Sequence, residues 1–377
     1  MTALVCDLAY SYLDREGERL TVELSKQRLA PGQRRAPFMT ERFADLVRFM
    51  AREDIGLVDL ERGRYTPFGG VRSTISAGRF LKASIDALGL DYNDFGRDRK
   101  VEPVLELRGR KEPKVIEGAV VMRAPRLPLP DTPEVRRLTE EMTRINDWIW
   151  DADIQWVGEA RVDVGHRHLK RIFNNGSLEQ GGRLYGGFWQ PISLEHRLDG
   201  ILLEGERVVQ LDFAQFGLRM AYAAVGSTPP PGDLYEISGL SGYRQEVKAI
   251  INALLCSEKV PTRFPQGTRG RIPRSRSFRM VYQAIARQHA PIVPLFGSGA
   301  ACRTMYVESQ VAVRALLRLQ AEGIVALPVH DALLVAHIHH QTAKSAMEAA
   351  SEEVTGYRCE VEVVGLPATD LPGLPKG

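Results

Sequence analysis

Cysteine, net charge and long apolar runs are all scarce in this sequence of 377 residues. The four cysteines stand far apart and form no Cys-x-x-Cys pair, which excludes a dense disulfide framework and suits a reducing compartment. No apolar run approaches the roughly 20 residues that span a bilayer. The N-terminus lacks the basic region and apolar core of a signal peptide. We therefore expect a cytoplasmic protein with no membrane partner.

The charged residues nearly balance, with 50 Lys and Arg against 47 Asp and Glu, so the net charge of +3 favours no partner. Their distribution is more informative. Residues 263–279 include no acid and six arginines: Arg263, Arg269, Arg271, Arg274, Arg276 and Arg279. A segment of this composition can follow the phosphates of a nucleic acid. A solvated loop would have the same composition, so both interpretations stay open.

The chain is long enough for two or three domains. Residues 1–130 read as a mainly helical N-terminal domain, with amphipathic helices expected at 40–52 and 76–88 and a hairpin between them. This order fits either a winged-helix-like nucleic-acid module or a small structural domain. Prolines between residues 125 and 133 indicate a linker.

The remainder of the chain mixes strand and helix patterns and predicts an α+β fold. Residues 131–200 read as a thumb-like helical region that leads into a palm, beginning with a long helix after Thr132. Residues 201–366 read as the palm, with an insertion at about 227–300. A Pro- and Gly-rich tail is expected at 367–377.

Two apolar stretches, 208–211 and 327–329, each lead to an aspartate, Asp212 and Asp331. A carboxylate in such a place is poorly solvated unless a cation joins it. Either aspartate alone would pass for a turn residue. Brought together, however, the two could hold two Mg²⁺ ions, for which Mn²⁺ can substitute, and so support nucleotidyl transfer.

A basic pair lies between the two aspartates in sequence. Arg244 and Lys248 are one helical turn apart, so they share a helix face. Such a pair can grip a triphosphate, or it can simply be two solvated surface bases.

The motifs resemble those of family A DNA polymerases and single-subunit RNA polymerases. The segment Asp212-Phe-Ala-Gln-Phe-Gly-Leu-Arg219 is similar to their motif A, Arg244-x-x-x-Lys248 to motif B, and Val329-His330-Asp331 to motif C. Their order and spacing agree with the family over residues 140–365. The resemblance implies a right-hand polymerase with a palm, small fingers and a thumb. The implied partners are a DNA template, nascent RNA or DNA, and nucleoside triphosphates; no replication partner is identified.

The resemblance also implies roles for single residues. Asp212 and Asp331 would bind metal, joined by the carbonyl of Phe213. Arg244 and Lys248 would hold the triphosphate, with Lys248 as the proton donor to pyrophosphate. The remaining candidates are His330 for positioning the primer end, Arg183 in a segment similar to Arg-Gly-Arg-x-Tyr for the template or primer backbone, and Gln215 and Asn252 near the substrate. A core histidine would also explain His330.

Gly217 departs from the DNA polymerases, which carry a Glu five residues after the first Asp to block the sugar 2′-hydroxyl. A glycine leaves room for a ribose, as in the single-subunit RNA polymerases, or it allows a helix to pack closely. We therefore expect a primase or small RNA polymerase that makes RNA on a DNA template. One alternative is a family A-type DNA polymerase without proofreading, because no segment resembles an exonuclease. The other is a non-catalytic nucleic-acid-binding replication or defence factor.

Overall fold

The computed structural model describes residues 2–14, 19–25, 29, 41–66, 69–91, 95, 102–116, 119–160 and 162–365. The tail expected at 367–377 lies outside these residues. The chain divides into two compact units, residues 1–99 and residues 100–377. Among the described residues, no helix has both the length and the apolar composition needed to cross a bilayer.

The first unit contains both helices and strands. Its elements are α1 (Thr2–Asp14), β1 (Leu20–Val22), α2 (Glu41–Met50), β2 (Val58–Glu61), β3 (Arg64–Thr66), β4 (Gly69–Val71), β5 (Ser73–Ala77) and α3 (Arg79–Leu88). β1, β5 and β2 form an antiparallel sheet in that order, while β3 and β4 pair as a hairpin. The helices cover the sheet. Val47 and Met50 of α2 and Ile75 of β5 are buried in the same hydrophobic core.

This sheet corrects the expectation of a mainly helical N-terminal domain. The helix expected at 76–88 begins only at Arg79, because residues 74–77 pair with β2. Gly78 separates the strand from the helix, and a Cβ there would lie 2.4 Å from the carbonyl oxygen of Gly56. The close approach of two backbone segments thus ends the strand at this point.

The second unit is also a mixture of helices and strands. Its first half consists of β6 (Leu105–Arg108), β7 (Glu112–Ile116), β8 (Ala119–Arg123), β9 (Arg126–Leu127), α4 (Pro133–Asp151), β10 (Ile154–Trp156), β11 (Lys170–Phe173), β12 (Gly181–Tyr185), α5 (Leu194–Gly200), β13 (Ile201–Leu203) and β14 (Glu206–Phe213). Its second half consists of α6 (Phe216–Ala224), α7 (Arg244–Cys256), α8 (Phe278–Gln288), a 3₁₀ helix (Ala290–Leu295), α9 (Ala301–Ala321), β15 (Ala326–Val329), β16 (Ala332–Ala336), a second 3₁₀ helix (His337–His339), α10 (His340–Thr355) and β17 (Val361–Val364). The predicted α+β class is confirmed.

A six-stranded sheet lies at the centre of the second unit. Five of its strands run in the order β10-β13-β14-β16-β15, and β17 pairs with β14. β14 is buried on both faces at residues 208–211, and it pairs with β16 along one edge. This sheet shares one hydrophobic core with α4, α9 and α10.

Residues 100–130 belong to the second unit, although the sequence placed them in the N-terminal domain. β6 pairs in parallel with β11, and β9 pairs with β6. The amide of Gly109 donates to the carbonyl of Pro125 at 2.6 Å, so the expected linker is part of a sheet. Residues 131–200 are likewise not a helical region, because three strands follow α4. Long-range pairing of this kind leaves no local sequence signal.

A separate hydrophobic cluster packs the region between α6 and α9. Its buried residues run from Leu218 to Phe296 and come from α6, α7, α8, the loops between these helices, and the first 3₁₀ helix with the residue that follows it. The Ser277 hydroxyl accepts from the amide of Met280 and caps α8. This local core coincides with the segment expected at about 227–300, whose interpretation as fingers stays a prediction.

Candidate active site

Strand pairing brings the two aspartates together. Asp212 is the next-to-last residue of β14 and is the register partner of Ala332, the residue that follows Asp331. Asp331 lies in the two-residue turn between β15 and β16. The buried indole of Trp189 donates to the carbonyl of Pro328 at 2.8 Å and so anchors β15 before the turn. Both carboxylates line one cavity of about 360 Å³.

The charge of Asp212 is disfavoured in this place. Burial and then the repulsion of Asp331 raise the pKa of Asp212 to about 6, and Lys248 only partly offsets them. A half-buried carboxylate that lies beside a second one is typical of cation sites.

Divalent magnesium fits these donors, because Mg²⁺ prefers hard oxygen ligands and binds through one or two carboxylates together with substrate phosphates. Within the described ranges, no group of three His, Cys, Asp or Glu residues could hold a metal by itself. Two carboxylates fill only part of the coordination shell of Mg²⁺, which usually takes waters and substrate phosphates as its other ligands.

Lys248 and Arg244 are both on α7 but have different surroundings. Lys248 lines the cavity, whereas Arg244 is not among the lining residues. The Arg244 guanidinium donates to the Asp233 carboxylate, and both basic groups lie over the ring of Tyr235, at 5.4 and 5.8 Å from its centroid. A triphosphate that reached Arg244 would have to compete with Asp233.

Three further candidates also line the cavity. Gln215 adopts a left-handed backbone conformation, with φ of 58°, and its side chain accepts from the amide of Leu234 at 2.5 Å, so it anchors the following loop. The ring of Phe213 stacks on Phe216 with a centroid distance of 4.2 Å. Asn252 lies one turn after Lys248 on the same helix. These contacts show what each residue does in the fold, while their roles toward a substrate remain predictions.

His330 is not a core histidine, because it is exposed at the turn between β15 and β16. It has a positive φ of 59°, which is rare outside glycine. Its ring lies against the edge of Tyr185 at 6.1 Å. Partial burial of the ring and the nearby charge of Arg183 lower the pKa of His330.

Arg183 projects from β12 into the cavity and pairs with an acid that the sequence analysis missed. Its Nη2 atom donates to Oε2 of Glu308, on α9, at 2.5 Å. A signal for Glu308 was present, since it lies one turn before Ala312 on the apolar stripe of α9, where an acid is unusual. Tyr235, which also lines the cavity, follows a Gly- and Pro-rich loop and carries no such signal.

Gly217 borders the cavity on α6. A Cβ at this position would have one neighbour within 4 Å outside its own helix and chain neighbours, the Oε1 atom of Glu308 at 3.4 Å. That is an ordinary van der Waals distance, so close helix packing does not require the glycine.

The arginine segment between α7 and α8 is exposed at all six arginines. It is less free of counter-charge than the sequence indicated, because Arg271 pairs with Glu246 of α7 at 3.6 Å. Arg269 donates to the carbonyls of Pro273, Arg274 and Arg276 and so holds the loop together. No hydrogen bond or ion pair engages the side chains of Arg263, Arg274 and Arg279 in the part of the chain described.

No protein-family profile matches the chain, and no curated protein matches its sequence. Among solved structures, it is similar to the POL domain of Pol1 from M. smegmatis in complex with DNA primer-template and dNTP. The TM-score is 0.33 and the identity is 12%, with 96% of this chain and 63% of the other covered. The chain thus spans less than two thirds of that protein's length, and a similarity at this level does not establish a shared fold.

Proposed function

We propose that the protein is a template-directed nucleotidyltransferase. The observation that carries this proposal is the meeting of Asp212 and Asp331 in one cavity with Lys248. The pairing of β14 with β16 brings the two carboxylates together, and Lys248 reaches the same cavity from α7. Their combination suits a reaction in which a hydroxyl attacks the α-phosphate of a nucleoside triphosphate and pyrophosphate leaves.

Each residue of the cavity would have its own role in this reaction. Asp212 and Asp331, with the carbonyl of Phe213, would hold two Mg²⁺ ions, or Mn²⁺ in their place. When bound, these ions would lower the pKa of the attacking hydroxyl and neutralise charge on the leaving pyrophosphate. Lys248 would bind the phosphates and give a proton to the departing pyrophosphate. Arg244 would join it once the phosphates replace Asp233.

The template and primer lie, in this proposal, along the basic side chains around the cavity. Arg183 is suited to a backbone contact, and the exposed arginines 263, 274 and 279 can follow phosphates further away. His330, exposed beside Asp331, is suited to positioning the primer end.

The preferred version makes RNA on a DNA template, as a primase or small RNA polymerase. It is supported by the open position at Gly217, which leaves space for a ribose. The runner-up is a DNA polymerase without proofreading. A non-catalytic nucleic-acid-binding factor has less support, since it would not need two carboxylates whose repulsion costs stability.

A single assay separates the three versions. The full chain is incubated with Mg²⁺ and a DNA template, with and without primer, and with NTPs and dNTPs in parallel. RNA product supports the preferred version, and product from dNTPs alone supports the runner-up. Binding of the template without any product would leave the non-catalytic factor.

The N-terminal unit is proposed to bind nucleic acid as well. The hairpin of β3 and β4 carries or adjoins three exposed arginines, Arg62, Arg64 and Arg72. Replacing all three with alanine should weaken binding of a labelled duplex in fluorescence anisotropy. Unchanged binding would leave this unit a structural role.

A further inference from the structure

One carboxylate oxygen lies next to the open position at residue 217. The Oε1 atom of Glu308 is 3.4 Å from the place of a Cβ at Gly217, and both residues line the cavity that holds Asp212 and Asp331. Gly217 is on α6 and Glu308 is on α9, so only the packing of these helices brings them together. An acid therefore lies beside the space that the glycine leaves open.

The fold fixes the orientation of this carboxylate. The Glu308 side chain is only 7% exposed, and its Oε2 atom accepts from Arg183 at 2.5 Å. Within the described part of the chain, no hydrogen bond reaches Oε1. Burial raises the pKa of Glu308 and the charge of Arg183 opposes this effect. The ion pair thus occupies one oxygen and leaves the other directed at the cavity wall beside residue 217.

We propose that Glu308 determines sugar specificity, with Oε1 accepting a hydrogen bond from the 2′-hydroxyl of an incoming ribonucleoside triphosphate. This inference rests on the proposed nucleotidyl transfer. A carboxylate oxygen can only accept, and the 2′-hydroxyl is the one donor that distinguishes ribose from deoxyribose. A deoxyribose would leave Oε1 desolvated and without a partner. Sites built to bind a hydroxyl reject analogues that lack it for this reason.

The test compares kcat/KM for an NTP and for the dNTP of the same base on one primer-template. The ratio of the two values within one protein sample does not depend on the fraction of folded enzyme. Glu308→Ala should lower the NTP/dNTP ratio by about tenfold or more, the range expected for an unpaired buried acceptor. Arg183→Lys is the matched control, because it keeps both the carboxylate and a positive charge beside Oε2. It should change the NTP/dNTP ratio by less than about threefold, a free-energy difference well below that of a lost buried hydrogen bond.

A second variant covers the case in which Glu308→Ala does not fold. Gly217→Ala adds one methyl group between the sugar and Oε1 and leaves the ion pair untouched. It is compatible with helix α6, because alanine favours helices over glycine. It should lower the NTP/dNTP ratio of kcat/KM, because the methyl group would separate the 2′-hydroxyl from Oε1.

Three results would overturn the inference while nucleotidyl transfer stands. A rise in the NTP/dNTP ratio in Glu308→Ala would mean that the carboxylate obstructs the 2′-hydroxyl. An unchanged ratio with a higher Mg²⁺ requirement for both sugars would make Glu308 a metal ligand. If the wild type used dNTPs alone, Glu308 would have no 2′-hydroxyl to bind. No incorporation of either sugar by the wild type would instead overturn the proposed function, and this inference with it.

Discussion

Asp212 lies where both burial and a neighbouring carboxylate oppose its charge, and Lys248 offsets these effects only in part. Hydrogen bonds and ion pairs with favourable geometry hold most other buried polar groups, such as Asn146, which bonds to Leu169 through both its amide nitrogen and its oxygen. Residues that lower stability in this way are typically kept for function.

Replacing either aspartate with asparagine should abolish nucleotide incorporation, with a loss of at least about 100-fold, as expected when a principal electrostatic group is removed. In metal-free buffer at pH 8, Asp212→Asn should unfold at the wild-type temperature or above it, because the variant relieves repulsion. Primer extension and thermal unfolding measure the two effects. Wild-type rates in either variant would contradict the metal assignment.

Glu362 provides the matched control. It lies on β17 as the register partner of Asp212 and contributes to the raised pKa of Asp212. The Glu362 side chain is exposed, however, and does not line the cavity. Glu362→Gln should therefore keep incorporation within about twofold of wild type, as is usual for a surface substitution.

A buried histidine forms hydrogen bonds with both α6 and the loop that follows it. His289, at the end of α8, is fully buried; its Nδ1 atom accepts from the Tyr222 hydroxyl at 2.8 Å and its Nε2 atom donates to the carbonyl of Leu234 at 2.9 Å. These partners fit the neutral ring. Burial lowers the pKa of His289 below its ordinary value of 6.5.

Stability should therefore fall as the pH drops below about 6.5, because the unfolded chain then binds a proton that the folded chain resists. The loss continues until the pH passes the lowered pKa in the folded state. His289→Gln should be less stable at pH 8 and should show a flatter decline of the unfolding temperature between pH 7 and pH 5. An equal decline in both proteins would assign the acid sensitivity to other groups.

The segment 263–279, which ends in the first turn of α8, contains arginines of two kinds. Arg269 holds the loop through backbone carbonyls, and Arg271 has Glu246 as its counter-ion. Arg263, Arg274 and Arg279 are exposed and are suited to phosphates. Replacing these last three with alanine should weaken DNA binding and flatten the log-log salt dependence by about 0.9 for each phosphate that the protein no longer neutralises.

Anisotropy titrations between 50 and 200 mM salt measure this slope. The matched control is Arg271→Ala, which removes one exposed charge and frees Glu246, and which should change the slope by less than about 0.9, the value for a single phosphate. A slope unaffected by the triple variant would mean that the segment faces solvent.

At the scale of the whole molecule, the described core residues fall into clusters that each draw on one unit only. One cluster lies within residues 4–95, and the other two lie within residues 104–363. A unit with its own core can fold alone.

The fragment 100–377 should therefore unfold cooperatively and keep the higher-enthalpy transition of the full chain, since unfolding enthalpy scales with the number of residues. Calorimetry of the fragment and the full chain provides the comparison. A single transition in the full chain, with no cooperative unfolding in the fragment, would show that the units depend on each other.

Local patterns in the sequence determined the helices and the chemistry-bearing strands. Arg244 and Lys248, expected to share one helix face, both lie on α7 (Arg244–Cys256), whose apolar residues recur at helical spacing. The apolar stretches before Asp212 and Asp331 are observed as β14 and β15. Periodicity and polarity act over a few residues, so one sequence is enough to reveal them.

Only the tertiary structure decided what depends on distant pairing. It placed residues 100–130 beside β11, set Asp212 next to Asp331 across a strand pair, and brought Glu308 to the side of Gly217. It also gave Arg244 and Arg271 their acidic partners. Each of these contacts joins elements whose relative position is set by the sum of many packing interactions, and no short segment of sequence encodes that sum.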